Sequence, residues 1–305
     1  MSLMAIVIAG GTGFLGSALV RALALDGHVV AVLTRTGGQG KPGPARLIEW
    51  KPDGSVGPWV FAIDGAEAVI NLAGESIAGR RWTAAQKKRI LESRVKATRS
   101  LADAIRQSAA PPPVFVSGSA VGYYGALGDE IVTEDHAPGR DFLADVCVHW
   151  EREAARAAGA RTRVVSIRTG LVLERDGGAL PQMLPPFWFG AGGRVGSGHQ
   201  WWPWIHRQDW IDLVRFAIRT ASVTGPLNVT APAPVTNADF ARALGRALHR
   251  PAFLPAPGFA LRLMLGEMAD ALLLSGQRAI PAKAAKLGFK FGFVDVNAAL
   301  RRIFS

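Results

Sequence analysis

The sequence predicts an α/β protein in which a doubly wound parallel sheet, with helices on both faces, is followed by a smaller, mainly helical C-terminal part. Three observations carry this. Strand-like apolar runs alternate with segments of helical period through roughly the first half of the chain, the pattern of a parallel sheet with helical crossovers. The first of those runs leads straight into the glycine-rich stretch GGTGFLG. After Leu173 the texture changes: residues 181–204, PQMLPPFWFGAGGRVGSGHQWWPW, are rich in Gly, Pro and Trp without a clear period.

The elements follow in order. AIVIA (5–9), VVAVLT (29–34), AVINLA (68–73), VFVS (114–117) and RVVSIR (163–168) read as strands. Between them LGSALVRALAL (15–25), residues 83–107 and DFLADVCVHWEREAARAAG (141–159) read as helices, the first stopping at Asp26-Gly27 and the third at Gly159. Five of the nine tryptophans lie between Trp188 and Trp210, so this stretch reads as a lid or wall for a ligand. Then HRQDWIDLVRFAIRT (206–220) reads as a helix, PLNVT (226–230) as a strand, and residues 236–305 as mainly helical, with a cap at Thr236 or Asn237.

The chain of 305 residues, 49% of them apolar, is long enough to bury a substantial core. A single cysteine, Cys147, excludes an internal disulfide framework and a multi-cysteine zinc site, and fits a reducing compartment, the cytoplasm by default. The uncharged run Leu3 to Val20 has no basic segment ahead of it and contains the glycine motif, so neither a targeting signal nor a membrane anchor is expected. The net charge of +11 is concentrated partly between Glu75 and Arg106, where nine Lys or Arg face three acids. A solvated basic face is the first reading and an anionic ligand the second; without a dedicated motif, nucleic acid is not expected as a partner. No His, Asp or Glu grouping has a metal-ligand spacing, so no metal is expected.

Gly10, Gly13 and Gly16 follow the first strand at G-x-x-G-x-x-G spacing and open an amphipathic helix. In that context the first glycine permits a sharp turn, the second lets backbone approach a pyrophosphate, and the third lets helix and strand pack closely. The helix start offers its free N–H groups to the anion. Gly10, Thr12, Gly13, Phe14, Leu15 and Gly16 are therefore expected to hold a dinucleotide in a Rossmann-type domain. At the end of the second strand, where an acidic residue would bind the ribose of NAD, the chain has Thr34-Arg35-Thr36. Arg35 can grip a 2′-phosphate through its planar fork, so the expected cofactor is NADP(H) rather than NAD(H). The expected domains are residues 1–175, with 205–230 returning to them, and a substrate-side domain of residues 176–204 and 231–305.

With these residues in place the chain resembles an extended short-chain dehydrogenase/reductase of the epimerase/dehydratase-like branch, in GGTGFLG, NLAG (71–74), SGSAVGYYG (117–125), RTG (168–170) and WIHRQDW (204–210). It is similar in particular to an atypical subgroup, the YfcH-like "epimerase family" proteins, in NLAGESIAGRRW, SRV (93–95), the Trp-rich loop and a small C-terminal domain of unassigned function. The resemblance implies that Asn71, Leu72, Ala73 and Gly74 line the cofactor together with Ser117, and that Arg168, Thr169 and Gly170 border its nicotinamide end. It also implies that Ser119 holds a substrate oxygen. The Tyr-x-x-x-Lys pair of the family does not carry over: Leu143 stands at the Tyr position and Cys147 at the Lys position, and neither replaces the chemistry. The helix that carries them reads as a wall.

Acid–base candidates then reduce to Ser119 with Tyr123 or Tyr124, the only tyrosines. Glu75, Arg80, Trp82, Trp202 and His206 are substrate-side candidates, although for His206 a structural role is the stronger reading, with Asp209 capping the helix that follows. The leading expectation is an NADP(H)-dependent oxidoreductase or nucleotide-sugar-epimerase-like enzyme acting on a small polar substrate, as a monomer or homodimer. The alternative is a non-catalytic NADPH-binding or redox-sensing module. Replacing Arg35 with Asp is expected to weaken NADPH binding far more than NADH binding in calorimetry; equal losses would refute its assignment to the 2′-phosphate.

Overall fold

The computed structural model describes residues 3–36 and 44–305. Seven strands form the central sheet: β1 (Ala5–Ala9), β2 (Val29–Thr34), β3 (Arg46–Glu49), β4 (Ala68–Asn71), β5 (Val114–Ala120), β6 (Arg163–Thr169) and β7 (Gly225–Val229). Their order is β7-β6-β5-β4-β1-β2-β3, and every pairing is parallel. The chain leaves β1 toward β2 and β3, then crosses back to β4, so the loops after β1 and β4 diverge and open a crevice at the carboxyl edge. This is the Rossmann-type doubly wound sheet the alternation predicts. The edge strand β3, absent from the sequence reading, is four residues long and takes its register from β2, from Ala31↔Arg46 to Thr34↔Glu49.

The longer helices are α1 (Phe14–Leu25), α2 (Ala84–Gln107), α3 (Phe142–Ala155), α4 (Leu180–Trp188), α5 (Arg207–Arg219) and α6 (Asn237–Leu248). The period of two along each strand sorts its residues between two layers. Ile6 and Ile8 of β1 enter the core that Leu19 and Leu23 of α1 share with Trp210 and Leu213 of α5. Val7 and Ala9 enter the opposite core, with Leu101 and Ile105 of α2 and Ala154 of α3.

A third core joins α4, α6 and the last helix, Val296–Phe304, through Leu184, Trp202, Trp204, Phe240, Leu244 and Leu300. The Trp-rich stretch is therefore not the aromatic lid its composition suggests. It begins with a helix that tolerates Pro185 and Pro186 near its end, and two of its tryptophans are buried in the C-terminal core. Prolines hid the helical period of α4 from the sequence reading.

Caps at Thr83, Asp141 and Thr236 begin α2, α3 and α6, each accepting a backbone N–H from three residues on. At α5 the expectation is corrected. His206 is the cap, accepting from the Gln208 N–H, while Asp209 accepts from the N–H groups of Gly292 and Phe293 at 2.8 and 2.9 Å. Burial raises the pKa of Asp209, and those two donors only partly offset it. Its carboxylate thus fastens the C-terminal segment to α5. Among the described residues no helix is long and apolar enough to cross a membrane, and no group of His, Cys, Asp and Glu is placed to hold a metal.

Helices α2 and α3 are clipped together by Glu153, whose carboxylate accepts from Arg99 Nη2 at 2.8 Å, Arg99 Nε at 3.1 Å and Arg156 Nη1 at 2.8 Å. The Arg99 hydrogen bond outweighs the effect of burial and, with Arg156, holds the Glu153 pKa below its ordinary value of 4.5. A depressed carboxylate contributes stability that is present above its unfolded pKa and is lost as pH falls through the folded one. Glu153→Gln is expected to cost about 1–2 kcal/mol at neutral pH in urea unfolding, with a deficit that shrinks as pH drops below 4.5. A deficit independent of pH would show that packing, not the ion pair, accounts for the loss.

Candidate functional site

The crevice begins where β1 ends. Gly10 has φ +81°, and a Cβ there would lie 2.6 Å from Leu72 C and 2.8 Å from Ala73 N. Only glycine lets this turn press against the loop after β4. A Cβ at Gly16 would sit 2.2 Å from Gly10 O, so α1 also packs directly on the turn. At Gly13 the opposite holds: a Cβ would meet only Gly10 O, at 3.4 Å, and no side chain caps α1. Thr12 and Gly13 are exposed, Phe14 and Leu15 half-buried, and the free N–H groups of the first turn face open space. This is a cradle for a diphosphate: two glycines are required by close backbone, and the third leaves room for a ligand. Thr34 is half-buried, and beyond it Arg35 is exposed, with no carboxylate paired to it among the described residues.

The loop after β4 is held from within. Asn71 is fully buried; its Nδ2 donates to Thr98 Oγ1 at 2.8 Å and its Oδ1 accepts from Ala73 N–H at 3.2 Å, so it shapes the NLAG turn with both ends of its amide. Gly74 is exposed at the rim. Glu75 donates its N–H to Ser93 Oγ at 2.9 Å and its carbonyl accepts from Arg94 Nη1 at 2.9 Å, while no hydrogen bond engages its carboxylate. Trp82 closes the next turn by donating to Ile77 O at 2.8 Å and packs edge-on against Phe142 at the start of α3. Arg80 is exposed.

A buried polar network stands across the crevice, centred on Arg168 of β6, which is only 3% exposed. Arg168 donates to both oxygens of Glu151, at 2.8 and 2.9 Å, to Tyr124 Oη at 3.0 Å and to Glu134 O at 3.1 Å. Its guanidinium carbon also lies 3.4 Å from the centre of the Tyr123 ring. Burial opposes its charge, but the hydrogen bonds and charge of Glu151 outweigh burial and raise its pKa. Ser119 Oγ donates to Glu151 Oε1 at 2.6 Å. Tyr124 Oη donates to Asn228 Oδ1 at 2.6 Å, and burial pushes its pKa up to about 12. Thr169 Oγ1 accepts from Trp210 Nε1, and a Cβ at Gly170 would lie 2.4 Å from Pro203 O.

The structure brings Ser119, Tyr123, Tyr124 and Arg168 into one cluster, and gathers the glycine turn with the NLAG loop into another. It does not bring Trp202 and His206 to either. Trp202 packs on Phe240 in the C-terminal core, and His206 stacks on Phe293 with ring centres 3.9 Å apart, its pKa lowered by burial. Ser117 is fully buried within β5. Glu151 and Arg94 are the residues the sequence reading passed over. Glu151 stands one helical turn beyond Cys147, on the same face of α3, and that spacing was the available signal. The helix that reads as a wall thus carries an acid to Ser119.

A doubly wound sheet with a glycine cradle at its switch point and a polar cluster across the crevice defines the class of dinucleotide-binding α/β proteins. The chain belongs to the NAD dependent epimerase/dehydratase family, whose model matches residues 6–229. Residues 256–303 match a second model, described as a domain of unknown function (DUF1731). The epimerase family protein ML0860 of Mycobacterium leprae is 41% identical over 97% of this chain and 94% of its own. The crystal structure of the human epimerase family protein SDR39U1 with NADPH is 38% identical, covers 98% of each chain and has a TM-score of 0.89. A nucleoside-diphosphate sugar epimerase from Corynebacterium glutamicum is 35% identical over 99% of this chain and 59% of that one, with a TM-score of 0.80.

Tyr124→Phe removes one hydroxyl that both donates to Asn228 and accepts from Arg168. It is expected to cost about 1–3 kcal/mol in urea unfolding, because two buried polar atoms lose a partner. No measurable loss would show that the Tyr124 hydroxyl is dispensable to the network.

Proposed function

We propose that the chain is an NADP(H)-dependent enzyme of oxidoreductase or epimerase type, acting on a small polar substrate through Ser119 and Glu151. The observation that carries this reading is the 2.6 Å hydrogen bond from Ser119 Oγ to a carboxylate held at both oxygens by Arg168. The glycine cradle and the exposed Arg35 support NADP(H), as does the NADPH in the human relative's crystal structure. When bound, that cofactor supplies or accepts a hydride.

The proton work falls to this chain's own residues. Ser119 commits its proton to Glu151, so its lone pairs are the ones left to face a substrate. A substrate hydroxyl gives its proton to Ser119 Oγ while the proton of Ser119 passes to Glu151 Oε1; the O–H bond of the substrate breaks and a Glu151 O–H forms. The reverse transfer returns the proton. Arg168 fixes both carboxylate oxygens, which keeps Glu151 aimed at Ser119. Tyr124 takes no part, because its hydroxyl is engaged by Asn228 and Arg168. The substrate is read as a small molecule, with a sugar nucleotide the first class to try, and the protein as a monomer or homodimer that needs no nucleic acid.

A second reading, a non-catalytic NADPH-binding module, is favoured by Leu143 and Cys147 at the positions of the family's Tyr and Lys. NADPH absorbance, followed across carbonyl compounds and sugar nucleotides with product analysis for redox-neutral reactions, separates the two. Ser119→Ala and Glu151→Gln are each expected to lower turnover by about 10²- to 10⁴-fold while leaving the NADPH dissociation constant nearly unchanged. Undiminished turnover in both variants would remove the proton role from this pair. A wild-type protein that binds NADPH tightly and turns over nothing would establish the second reading.

A further inference from the structure

Arg94 lies on the inner side of α2, half-buried, and no carboxylate among the described residues forms an ion pair with it. Its Nη1 is spoken for, donating to Glu75 O at 2.9 Å and Ile90 O at 3.1 Å. Its Nε and Nη2 have no hydrogen-bond partner among the described residues, yet neither is among the buried polar atoms left without one. Those donors are therefore reachable from outside. A half-buried cation without a counter-charge is costly unless a ligand completes its hydrogen bonds.

Its neighbours identify the ligand. The guanidinium lies against the NLAG loop so closely that a Cβ at Gly74 would come within 3.1 Å of Arg94 Cζ. Its Cζ is 5.1 Å from the centre of the Trp150 ring of α3. The titratable groups that act on it are Cys147 and Glu75, and Cys147 in turn is influenced by Ser119 and Glu151. Burial pushes the Cys147 thiol up to about 11, so it stays neutral and adds no charge of its own. Along the carboxyl edge of the sheet, Arg35 follows β2, the glycine cradle follows β1, Gly74 follows β4 and Ser119 ends β5. Arg94 thus stands on the side of the cradle away from Arg35, next to the Ser119–Glu151 pair.

We propose that Arg94 is a cofactor-binding residue whose free guanidinium donors hold the ribose hydroxyls on the nicotinamide half of NADP(H). The assignment rests on the reading that NADP(H) is the cofactor. It places the site's fixed cation on α2, where α3 offers only a neutral thiol.

The test is calorimetry on wild type, Arg94→Met, Arg94→Lys and Gly74→Ala with two probes: NADPH, and adenosine 2′,5′-bisphosphate, which lacks the nicotinamide half. Arg94→Met is expected to raise the NADPH dissociation constant about 10- to 100-fold, the range for loss of charge-assisted hydrogen bonds, with the bisphosphate affinity unchanged. Arg94→Lys is expected to recover part of the loss. Gly74→Ala, which displaces the guanidinium while keeping its charge, is expected to weaken NADPH selectively and serves if Arg94→Met does not fold. Equal weakening of both probes would show that Arg94 only supports the Glu75 backbone, and no weakening of either would also overturn the proposal. Wild-type protein that binds neither probe would overturn the NADP(H) reading and this proposal with it; binding of both, with Arg94 variants unaffected, would overturn the proposal alone.

Discussion

The site depends on one buried cation. Arg168 reaches from β6 to α3 through Glu151, to the turn after β5 through Tyr124, and to the segment before α3 through Glu134 O. A guanidinium this deeply buried is tolerable only if its donors are met, and here a carboxylate, a phenol, a carbonyl and an aromatic face all meet it. The network extends outward. Tyr124 passes its proton to Asn228 of β7, and Glu134 accepts from the N–H groups of Asn228 and Lys283, so the sheet edge and the C-terminal segment are tied to the same centre. Such a constellation pre-organises Ser119 without using it up: its one bond goes to a carboxylate that is itself immobile.

The two halves of the crevice are built on different principles. On the β1–β4 side backbone approaches backbone, and the controlling residues are those without side chains: Gly10 against Leu72 and Ala73, Gly16 against Gly10. Contact there is steric and leaves N–H groups free for an anion. On the β5–β6 side the contacts are polar and charged, and nearly every donor already has an acceptor within the protein. Arg94 lies at the seam and departs from both patterns, with two donors unspent.

The family's usual catalytic pair is replaced rather than simply lost. Leu143 packs near Gly122 and Cys147 turns its thiol toward Ala120 O, so these positions serve packing. One turn further along the same helix face, Glu151 takes up the hydroxyl that the sheet presents. The polar function has moved along α3 by the spacing that keeps it on that face.

Much of this was legible in the sequence. The alternation of apolar runs and helical periods determined the parallel sheet, because strands buried on both faces and helices buried on one leave different periodicities. The glycine spacing determined the cradle, because only a residue without Cβ fits where two loops touch. Caps at Thr83, Asp141 and Thr236 announced their helices through short polar side chains. The structure alone decided what depends on contacts between distant segments: that Glu151 meets Ser119 and Arg168, that Trp202 and His206 belong to the C-terminal core, that Asp209 anchors the chain's end, and that Arg94 is left unpaired beside Gly74. Local pattern reports which face of an element is apolar, but it cannot report which polar groups converge once those faces are buried against one another.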